Sequence, residues 1–305
     1  MNFQQLKIIR EAARQDYNLT EVANMLFTSQ SGVSRHIREL EDELGIEIFV
    51  RRGKRLLGMT EPGKALLVIA ERILNEASNV RRLADLFTND TSGVLTIATT
   101  HTQARYSLPE VIKAFRELFP EVRLELIQGT PQDIGIASER LSNDPQLVAF
   151  PWFRWHHSLL VPHDHPLTQI SPLTLESIAK WPLITYRQGI TGRSRIDDAF
   201  ARKGLLADIV LSAQDSDVIK TYVALGLGIG LVAEQSSGEQ EEENLIRLDT
   251  RHLFDANTVW LGLKRGQLQR NYVWRFLELC NAGLSVEDIK RQVMESSEEE
   301  IDYQI

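Results

Sequence analysis

Gln30, Ser31, Ser34, Arg35 and Arg38 fall on one side of a short segment whose other side is apolar. These side chains suit the reading of DNA base edges: Gln pairs with adenine, Arg with guanine, and Ser takes either role. Opposite them, Val33, Ile37, Leu40 and Leu44 recur at helical spacing, as do Val22, Ala23 and Leu26 in the preceding segment. Between the two, Phe27-Thr28 leaves room only for a tight turn. Thr20 can cap the first helix, and Thr28 or Ser29 the second. Together they form a helix-turn-helix pattern over residues 19–45. An ordinary amphipathic helix pair with a solvated polar face has the same spacing, so the flanking elements must decide.

Those elements favour a DNA-binding unit. An N-terminal helix over residues 2–14 offers Phe3, Leu6, Ile9 and Ala13 as a face to pack beneath the pair. After Gly45, Ile46–Val50 and Leu56–Met59 read as two strands around Arg51, Arg52, Gly53, Lys54 and Arg55. A hairpin with four cations at its tip is a wing, attracted to phosphate without sequence preference. Residues 1–60 carry nine Lys/Arg against eight Asp/Glu, a net of +1, in a chain whose formal net charge is −8. The overall charge excludes a wholly basic nucleic-acid binder, and the basic residues concentrate on the second helix and the hairpin.

Thr60 then opens a helix with Pro62 in its first turn, where proline is tolerated. Leu66, Ala70, Ile73, Ala77, Val80, Ala84 and Phe87 follow at alternating spacings of four and three, the pattern of an a/d seam. A helix of about 29 residues is about 43 Å long. It cannot bury that seam on the small N-terminal unit alone, and the same helix of a second copy is the most economical partner. Packing on its own domain is the alternative.

Beyond the linker 89–93 the pattern becomes α/β. Strands are expected at Val94–Thr99, Val122–Ile127, Ile134–Ala137, Ser158–Val161, Leu183–Tyr186, Val210–Ala213 and Gly230–Val232. Helices are expected at Ser107–Leu118, Leu175–Ala179, Arg195–Lys203, Asp217–Leu225 and Tyr272–Asn281. One join is awkward. Only six residues, Gln128 to Asp133, separate two strands, whereas parallel neighbours need a crossover of about a dozen. Either these strands are not parallel or a helix is missing between them.

Two clusters here carry binding chemistry. Thr99-Thr100-His101-Thr102-Gln103 follows a strand and precedes a helix, and Thr191-Gly192-Arg193-Ser194 repeats that arrangement. Hydroxyls, an amide and free backbone N–H groups suit an anion or carboxylate, although any single threonine can equally be a helix cap. His156, His157, His163, Asp164 and His165 raise a metal reading, but a strand sends 156 and 157 to opposite faces and zinc needs converging ligands, so no metal is expected. Gly226, Gly228 and Gly230 do not fit a dinucleotide fingerprint. No nucleophile motif or phosphate loop is found, so an enzyme is not expected, nor is any cofactor. No apolar run is long enough to span a membrane. The N-terminus mixes charges into an amphipathic helix, unlike a signal peptide. The single cysteine, Cys280, lies in a core-like pattern and excludes an internal disulfide. A cytoplasmic location is expected. The stretch SSEEEIDYQI is acidic and expected to be disordered, and residues 286–305 are expected to form an acidic C-terminal tail.

Ala23, Leu26, Ser29-Gln30-Ser31, Ser34-Arg35, Ile37, Leu40-Glu41, Leu44-Gly45, Phe49, Arg51 and Leu57, followed by Thr60-Glu61-Pro62-Gly63, form a recognisable signature. On these residues the chain resembles the LysR-type transcriptional regulators over almost its whole length. The stretches THTQARYSLP, TYRQGITGRS and SDVIKTYVALGLGIG resemble the cysteine-regulon branch. The resemblance implies a winged helix-turn-helix (1–60), a dimerising linker helix (61–90), and a two-lobed, periplasmic-binding-protein-like α/β effector domain (91–285). Lobe I would span about 91–151 and 257–285, and lobe II about 152–256, with crossings near Phe150–Phe153 and Phe254–Asn257. It implies a cleft lined by Thr100, Thr102, Gln103, Ser138, Trp155 and Thr191, and a small anionic sulfur-related effector such as sulfate, an acetylated serine or adenosine phosphosulfate. Its implied partners are double-stranded promoter DNA, a second copy in a homodimer that pairs into a homotetramer, and RNA polymerase. The competing function is a small-molecule binding protein whose N-terminal helices serve assembly alone. The pattern also places a helix and short loop of about eleven further residues at the awkward join, where about a dozen residues would make a normal crossover. Either the segment is deleted here or it is omitted from the sequence as written.

Overall fold

The computed structural model describes every residue except 54, 89–90, 129–132, 139–140, 142–145, 191, 237–243 and 295–305. The chain divides into two compact units, Met1–Thr88 with Gly266–Leu268, and Asn89–Arg265 with Gln269–Ile305.

The first unit opens with three helices, α1 (Phe3–Arg14), α2 (Leu19–Met25) and α3 (Gln30–Leu44). Asn2 caps α1 in a reciprocal capping box with Gln5. The buried face of α1 is rotated from the expected one: Leu6, Ile8, Ile9 and Ala12 are buried, while Phe3 is exposed. Asn18, rather than Thr20, caps α2, its carboxamide oxygen accepting from the Thr20 and Glu21 N–H groups. Ser29 caps α3 by accepting from the Gly32 N–H at 3.1 Å. At the other end Gly45 ends α3 in the left-handed region at φ +67°, which favours glycine.

The wing is a hairpin of β1 (Phe49–Arg52) and β2 (Arg55–Met59), with Arg52 paired to Arg55. Strand pairing thus runs further into the basic tip than the sequence suggests and begins later, at Phe49 rather than Ile46. Ile48, Phe49, Leu56 and Met59 join Ile8, Ile9, Val22, Val33, Ile37 and Leu40 in one core. The long helix α4 (Glu61–Thr88) starts directly against this core. Thr60 accepts from the Gly63 N–H through its hydroxyl and donates to the Glu47 and Ile48 carbonyls. A Cβ at Gly63 would lie 2.1 Å from the Ile48 carbonyl oxygen, so only glycine allows this approach. Leu6 of α1 packs on Ile73, Ala70 and Leu74 of α4. Further along, Val80 of the seam is 69 % exposed and Ala84 is exposed, as is the neighbouring Leu83; the Phe87 side chain lies outside the described residues.

The second unit contains two five-stranded sheets. The first is built from β3 (Gly93–Thr99), β4 (Val122–Ile127), β5 (Ile134–Ser138), β6 (Leu147–Trp155) and β12 (Asn257–Lys264), in the order β4-β3-β5-β12-β6. The second contains β7 (His157–Pro162), β8 (Leu183–Tyr186), β9 (Ile209–Ala213), β10 (Ile229–Ala233) and β11 (Leu245–Asp249), in the order β11-β7-β10-β8-β9. Helices α5 (Pro109–Leu118), α6 (Leu175–Ile178), α7 (Arg193–Arg202), α8 (Ser216–Ala224) and α9 (Asn271–Cys280) lie close to their expected positions.

The chain changes sheet at His156, between β6 and β7, and again between β11 and β12. The first crossing therefore falls later than Phe150–Phe153, and Trp155 closes a strand of the first lobe. Within the span expected to be an acidic tail, Val286–Met294 forms helix α10. Its Ile289 and Val293 are buried in the first lobe's core, because two apolar residues four apart outweigh the surrounding charge once a sheet face is available.

The awkward join resolves by topology. Strands β4 and β5 both run parallel to β3, one on each side of it. The stagger keeps the connection short: Ile127 ends β4 beside Ala98, and Ile134 begins β5 beside Ile97. The two strand ends therefore lie about 10 Å apart, two strand spacings across β3. The late start of β5 leaves the Thr96 N–H of β3 facing no strand, and the Asp133 carboxylate accepts from it at 2.9 Å.

Candidate functional sites

In the first unit, Gln30, Ser31, Arg35 and Arg38 are exposed on α3, while Ser34 is half-buried. The Ser31 hydroxyl lies 3.1 Å from that of Ser29, and Arg35 has a loose surface pair with Glu39 at 3.5 Å. On the wing, Arg52 and Arg55 are exposed, and Lys54 lies outside the described residues. Arg51 is exposed and also pairs within the unit. Its guanidinium donates to Glu41 Oε2 at 2.5 Å, while Glu41 Oε1 accepts from the Ile48 and Phe49 N–H groups at 2.9 and 3.3 Å. One carboxylate on α3 thus holds the root of the wing. The bond to Glu41 adds a structural role to Arg51 that sequence reasoning did not foresee, because nothing in the spacing shows which cation an acid will meet.

In the second unit the predicted binding residues gather on one edge of the first sheet. Thr99 ends β3, and Thr100 leads into Thr102 and a π-helical turn at Gln103–Ser107. Ser138 ends β5 and pairs with Val259. Trp155 ends β6 and pairs with Asn257, the first residue of β12. All four strand ends lie along the carboxyl edge of the parallel strands, where β3 sits between strands reached in opposite directions. Ligands of open α/β sheets bind at such an edge. Thr102, Gln103 and Trp155 are buried, Thr100 and Ser138 half-buried. Thr191 lies outside the described residues, but Gly192 caps α7 at φ +66° and packs on the Asn257 amide. Arg193 is buried and spends its guanidinium internally, donating to the Tyr186 carbonyl and to Asp197, both at 2.7 Å. Tyr186 in turn accepts from the Ala233 N–H at 3.0 Å, and burial pushes its phenol up to about 12.

Two further features lie near the crossings. The Thr250 hydroxyl donates to the His157 carbonyl at 2.7 Å, extending the β7–β11 pairing within the second lobe. Between the lobes, Asp217 near the start of α8 accepts from Arg105 Nη1 and from the Tyr106 hydroxyl, each at 2.7 Å. The Lys220 ammonium lies 3.3 Å from the Tyr106 oxygen and 5.3 Å from its ring centre. This latch was not foreseen, since its members are over 100 residues apart. Ligand atoms of His101, Asp215 and Asp217 lie within 4.8 Å of one another, but Asp217 already takes two donors and Asp215 caps α8. Among the histidines weighed earlier, His165 accepts from the Leu167 N–H through Nδ1 at 3.2 Å, and burial lowers its pKa. His157 is buried between Trp155 and Phe254, with ring centres 4.9 and 5.7 Å away. Among the described residues, no helix is long and apolar enough to cross a membrane.

Residues 3–64 match the bacterial regulatory helix-turn-helix protein family of lysR type, and residues 88–285 match the LysR substrate binding domain. The chain is 96 % identical to the HTH-type transcriptional regulator cbl of Escherichia coli K12, with all of both chains covered. It is 53 % identical to the HTH-type transcriptional regulator SsuR of Burkholderia cenocepacia, over 95 % of this chain and 97 % of that one. The alignment to the Escherichia coli relative runs over 316 positions against 305 residues here, a difference of 11. The crystal structure of the cofactor-binding domain of the Cbl transcriptional regulator is 95 % identical, with a TM-score of 0.66, covering 68 % of this chain and 96 % of that one. A full-length OxyR from Pseudomonas aeruginosa, 21 % identical with a TM-score of 0.61 over 94 % of this chain and 99 % of that one, shares the fold. With a helix-turn-helix, an α/β substrate-binding unit and relatives that are regulators rather than enzymes, this chain belongs to the LysR family of DNA-binding transcriptional regulators.

Proposed function

We propose that the protein is an effector-responsive regulator of sulfur-assimilation genes, acting in the cytoplasm. Gln30, Ser31, Ser34, Arg35 and Arg38 read bases in double-stranded promoter DNA, while Arg51, Arg52, Lys54 and Arg55 grip phosphate. The α4 seam, exposed at Val80 and Ala84, pairs with the same helix of another copy, so the target is a pair of half-sites. Such dimers pair into a tetramer, with RNA polymerase as the downstream partner. A small anionic sulfur-related effector enters the cleft between the lobes, touching Thr100, Thr102, Gln103, Ser138, Trp155 and Thr191, and shifts the population of lobe arrangements. The observation that carries this reading is the gathering of Thr100, Thr102, Gln103, Ser138 and Trp155 on one sheet edge.

Footprinting the promoter of a sulfur-assimilation gene with and without sulfate or N-acetyl-L-serine tests it, and a changed footprint length is expected with an effector. Gln30→Ala and Arg35→Ala should each cost about 1–3 kcal/mol and relax specificity at one position. Arg52→Ala should weaken all sequences alike and flatten the salt dependence. Unchanged binding in all three variants would sink the DNA assignment, and a footprint indifferent to every effector would sink the switch.

A further inference from the structure

We propose that Gly266–Leu268 is a strap through which Asn79 of α4 couples the long helix to β12, so that DNA binding by the first unit and the state of β12 are linked. This coupling goes beyond the function proposed above and needs no particular effector.

Most of the chain after residue 88 belongs to the second unit, yet Gly266–Leu268 belongs to the first. The Asn79 carboxamide, only 5 % exposed, holds these three residues there. Its Nδ2 donates to the Gly266 carbonyl at 2.7 Å, and its Oδ1 accepts from the Leu268 N–H at 2.9 Å. A carbonyl and an N–H two residues apart are the pair that a neighbouring parallel strand would engage. One side chain thus stands in for a strand. Its amide is planar, so a rotation that breaks one bond breaks the other. Arg82 Nη1 adds a longer bond to the Leu268 carbonyl at 3.4 Å. Gly266 turns the strap at φ +67°, and a Cβ on it would lie 3.3 Å from Asn75 Nδ2.

Asn75, Asn79 and Arg82 follow at spacings of four and three, which makes them one stripe of α4. At about 100° per residue that stripe lies roughly opposite Ile73, Ala77, Val80 and Ala84 of the apolar seam. The strap therefore holds the helix from behind and leaves the seam to a second copy. Asparagine in mid-helix weakens the helix locally, and both asparagines face this strap.

The strap has little slack at either end. Lys264 ends β12 two residues before Gly266, and β12 is held in the first sheet between β5 and β6. The strand reaches back about 26 Å to Asn257, which pairs with Trp155 at the carboxyl edge. Beyond the strap, Arg270 Nη1 donates to the Ser92 carbonyl at 2.9 Å, and the Tyr272 hydroxyl donates to the Val94 carbonyl at 3.0 Å. Ser92 and Val94 lie where the chain coming from α4 enters β3. A strand paired on both sides and packed in a core transmits a displacement instead of absorbing it. A shift of β12 along its axis reaches the strap, and the grip of Asn79 passes it to α4. By linkage the reverse holds, and a displacement of α4 on DNA alters β12.

The test is hydrogen–deuterium exchange on the full chain, with and without a duplex that the unaltered protein selects from random sequence. In the unaltered protein, DNA should change the exchange rate over residues 257–268 by about twofold or more. Asn79→Leu removes both bonds at similar volume and with better helix propensity. Gly266→Ala opens the same clasp from the strap side, because alanine is strained at a positive φ and meets Asn75. Neither residue belongs to the base-reading helix or the wing, so each variant should bind the duplex within about threefold of the unaltered protein. Each should nevertheless lose the DNA-dependent change over 257–268. The double variant should behave like either single one, since both open one clasp. A purely structural role for Asn79 would raise exchange in the strap with and without DNA and leave the DNA-dependent difference in place. The coupling is overturned if that difference persists in either variant, or if the unaltered protein shows none. It is also overturned if both variants fail to fold or to bind DNA, since the clasp would then be a folding requirement. If Asn79→Leu alone fails to fold, Gly266→Ala decides.

Discussion

Replacing Glu41 by alanine should loosen the wing without replacing any residue that faces DNA. Glu41 Oε1 takes the Ile48 and Phe49 N–H groups, and Ile48 and Phe49 are 0 % and 1 % exposed. Losing the carboxylate leaves two buried donors unsatisfied, at about 1–3 kcal/mol for a well-made bond. The bond to Ile48 is 2.9 Å and the one to Phe49 is 3.3 Å, so the second counts for less. The ion pair with Arg51 joins side chains that are 29 % and 12 % exposed, and solvent screening reduces its share to well under 1 kcal/mol. The sum for Glu41→Ala is about 2–3 kcal/mol. In a unit of this size each kcal/mol moves the transition by roughly 4–8 °C, so its melting should fall by about 10–20 °C in a calorimetric scan of the full chain. Glu41→Gln keeps an oxygen for both N–H groups and should cost about 1 kcal/mol. The argument fails if Glu41→Ala lowers stability by less than about 1 kcal/mol, or if Gln is as damaging as Ala. A companion measurement separates anchoring from DNA contact: Arg51→Ala should alter the salt dependence of DNA binding less than Arg52→Ala does.

Asp133→Ala should strand the Thr96 N–H at the centre of the first sheet, costing about 2 kcal/mol in chemical denaturation, and Asp133→Asn should recover most of it; equal effects would show that the bond to Thr96 is not what Asp133 supplies. Asp217→Asn removes the charge that Arg105 and Tyr106 share across the cleft, so lobe closure should weaken by about 1 kcal/mol, read as a roughly fivefold loss of effector affinity, and an unchanged affinity would refute the latch. Burial pushes the Cys280 thiol far above the ordinary range, so iodoacetamide at pH 8 should leave it unmodified in the folded protein and label it on unfolding; rapid labelling of the native chain would refute that burial. Because the proton is held more tightly folded than unfolded, the same group contributes stability below the ordinary thiol pKa of about 8.5 that is lost as pH rises above it.

The helical periodicity of residues 22–44 places α2 and α3, because an amphipathic helix needs only its own spacing to declare its buried face. The hairpin and the start of α4 are equally local, set by a turn glycine, a threonine and a proline. Phe3 and Thr20 show where local reading stops. Phe3 fits the apolar spacing of α1 yet is exposed, since the neighbouring helices cover a face one step around. Thr20 is a good capping type, but Asn18 stands at the position where the chain enters the helix.

In the second unit most strands were legible as β-branched and apolar runs, whereas β6, β11, β12 and α10 were not. Their residues alternate weakly, and their burial depends on a sheet assembled from distant segments. The first cleft cluster was legible because hydroxyls and an amide between strand and helix have their own chemistry. Asn257 was not, since one asparagine in a strand has no local signal.

By itself the sequence determined the elements whose cause is local: the helix-turn-helix, the basic hairpin, the long seam, and the family whose signature they carry. Tertiary structure alone decided which groups meet. It brought Glu41 to the wing, Asp133 to an unpaired N–H of β3, Asp217 to Arg105 and Tyr106, and Asn257 to Trp155 and Gly192. Periodicity along a chain reports what each segment must bury. Pairing between segments depends on sheet order and stagger, which arise only when distant parts of the chain fold against one another.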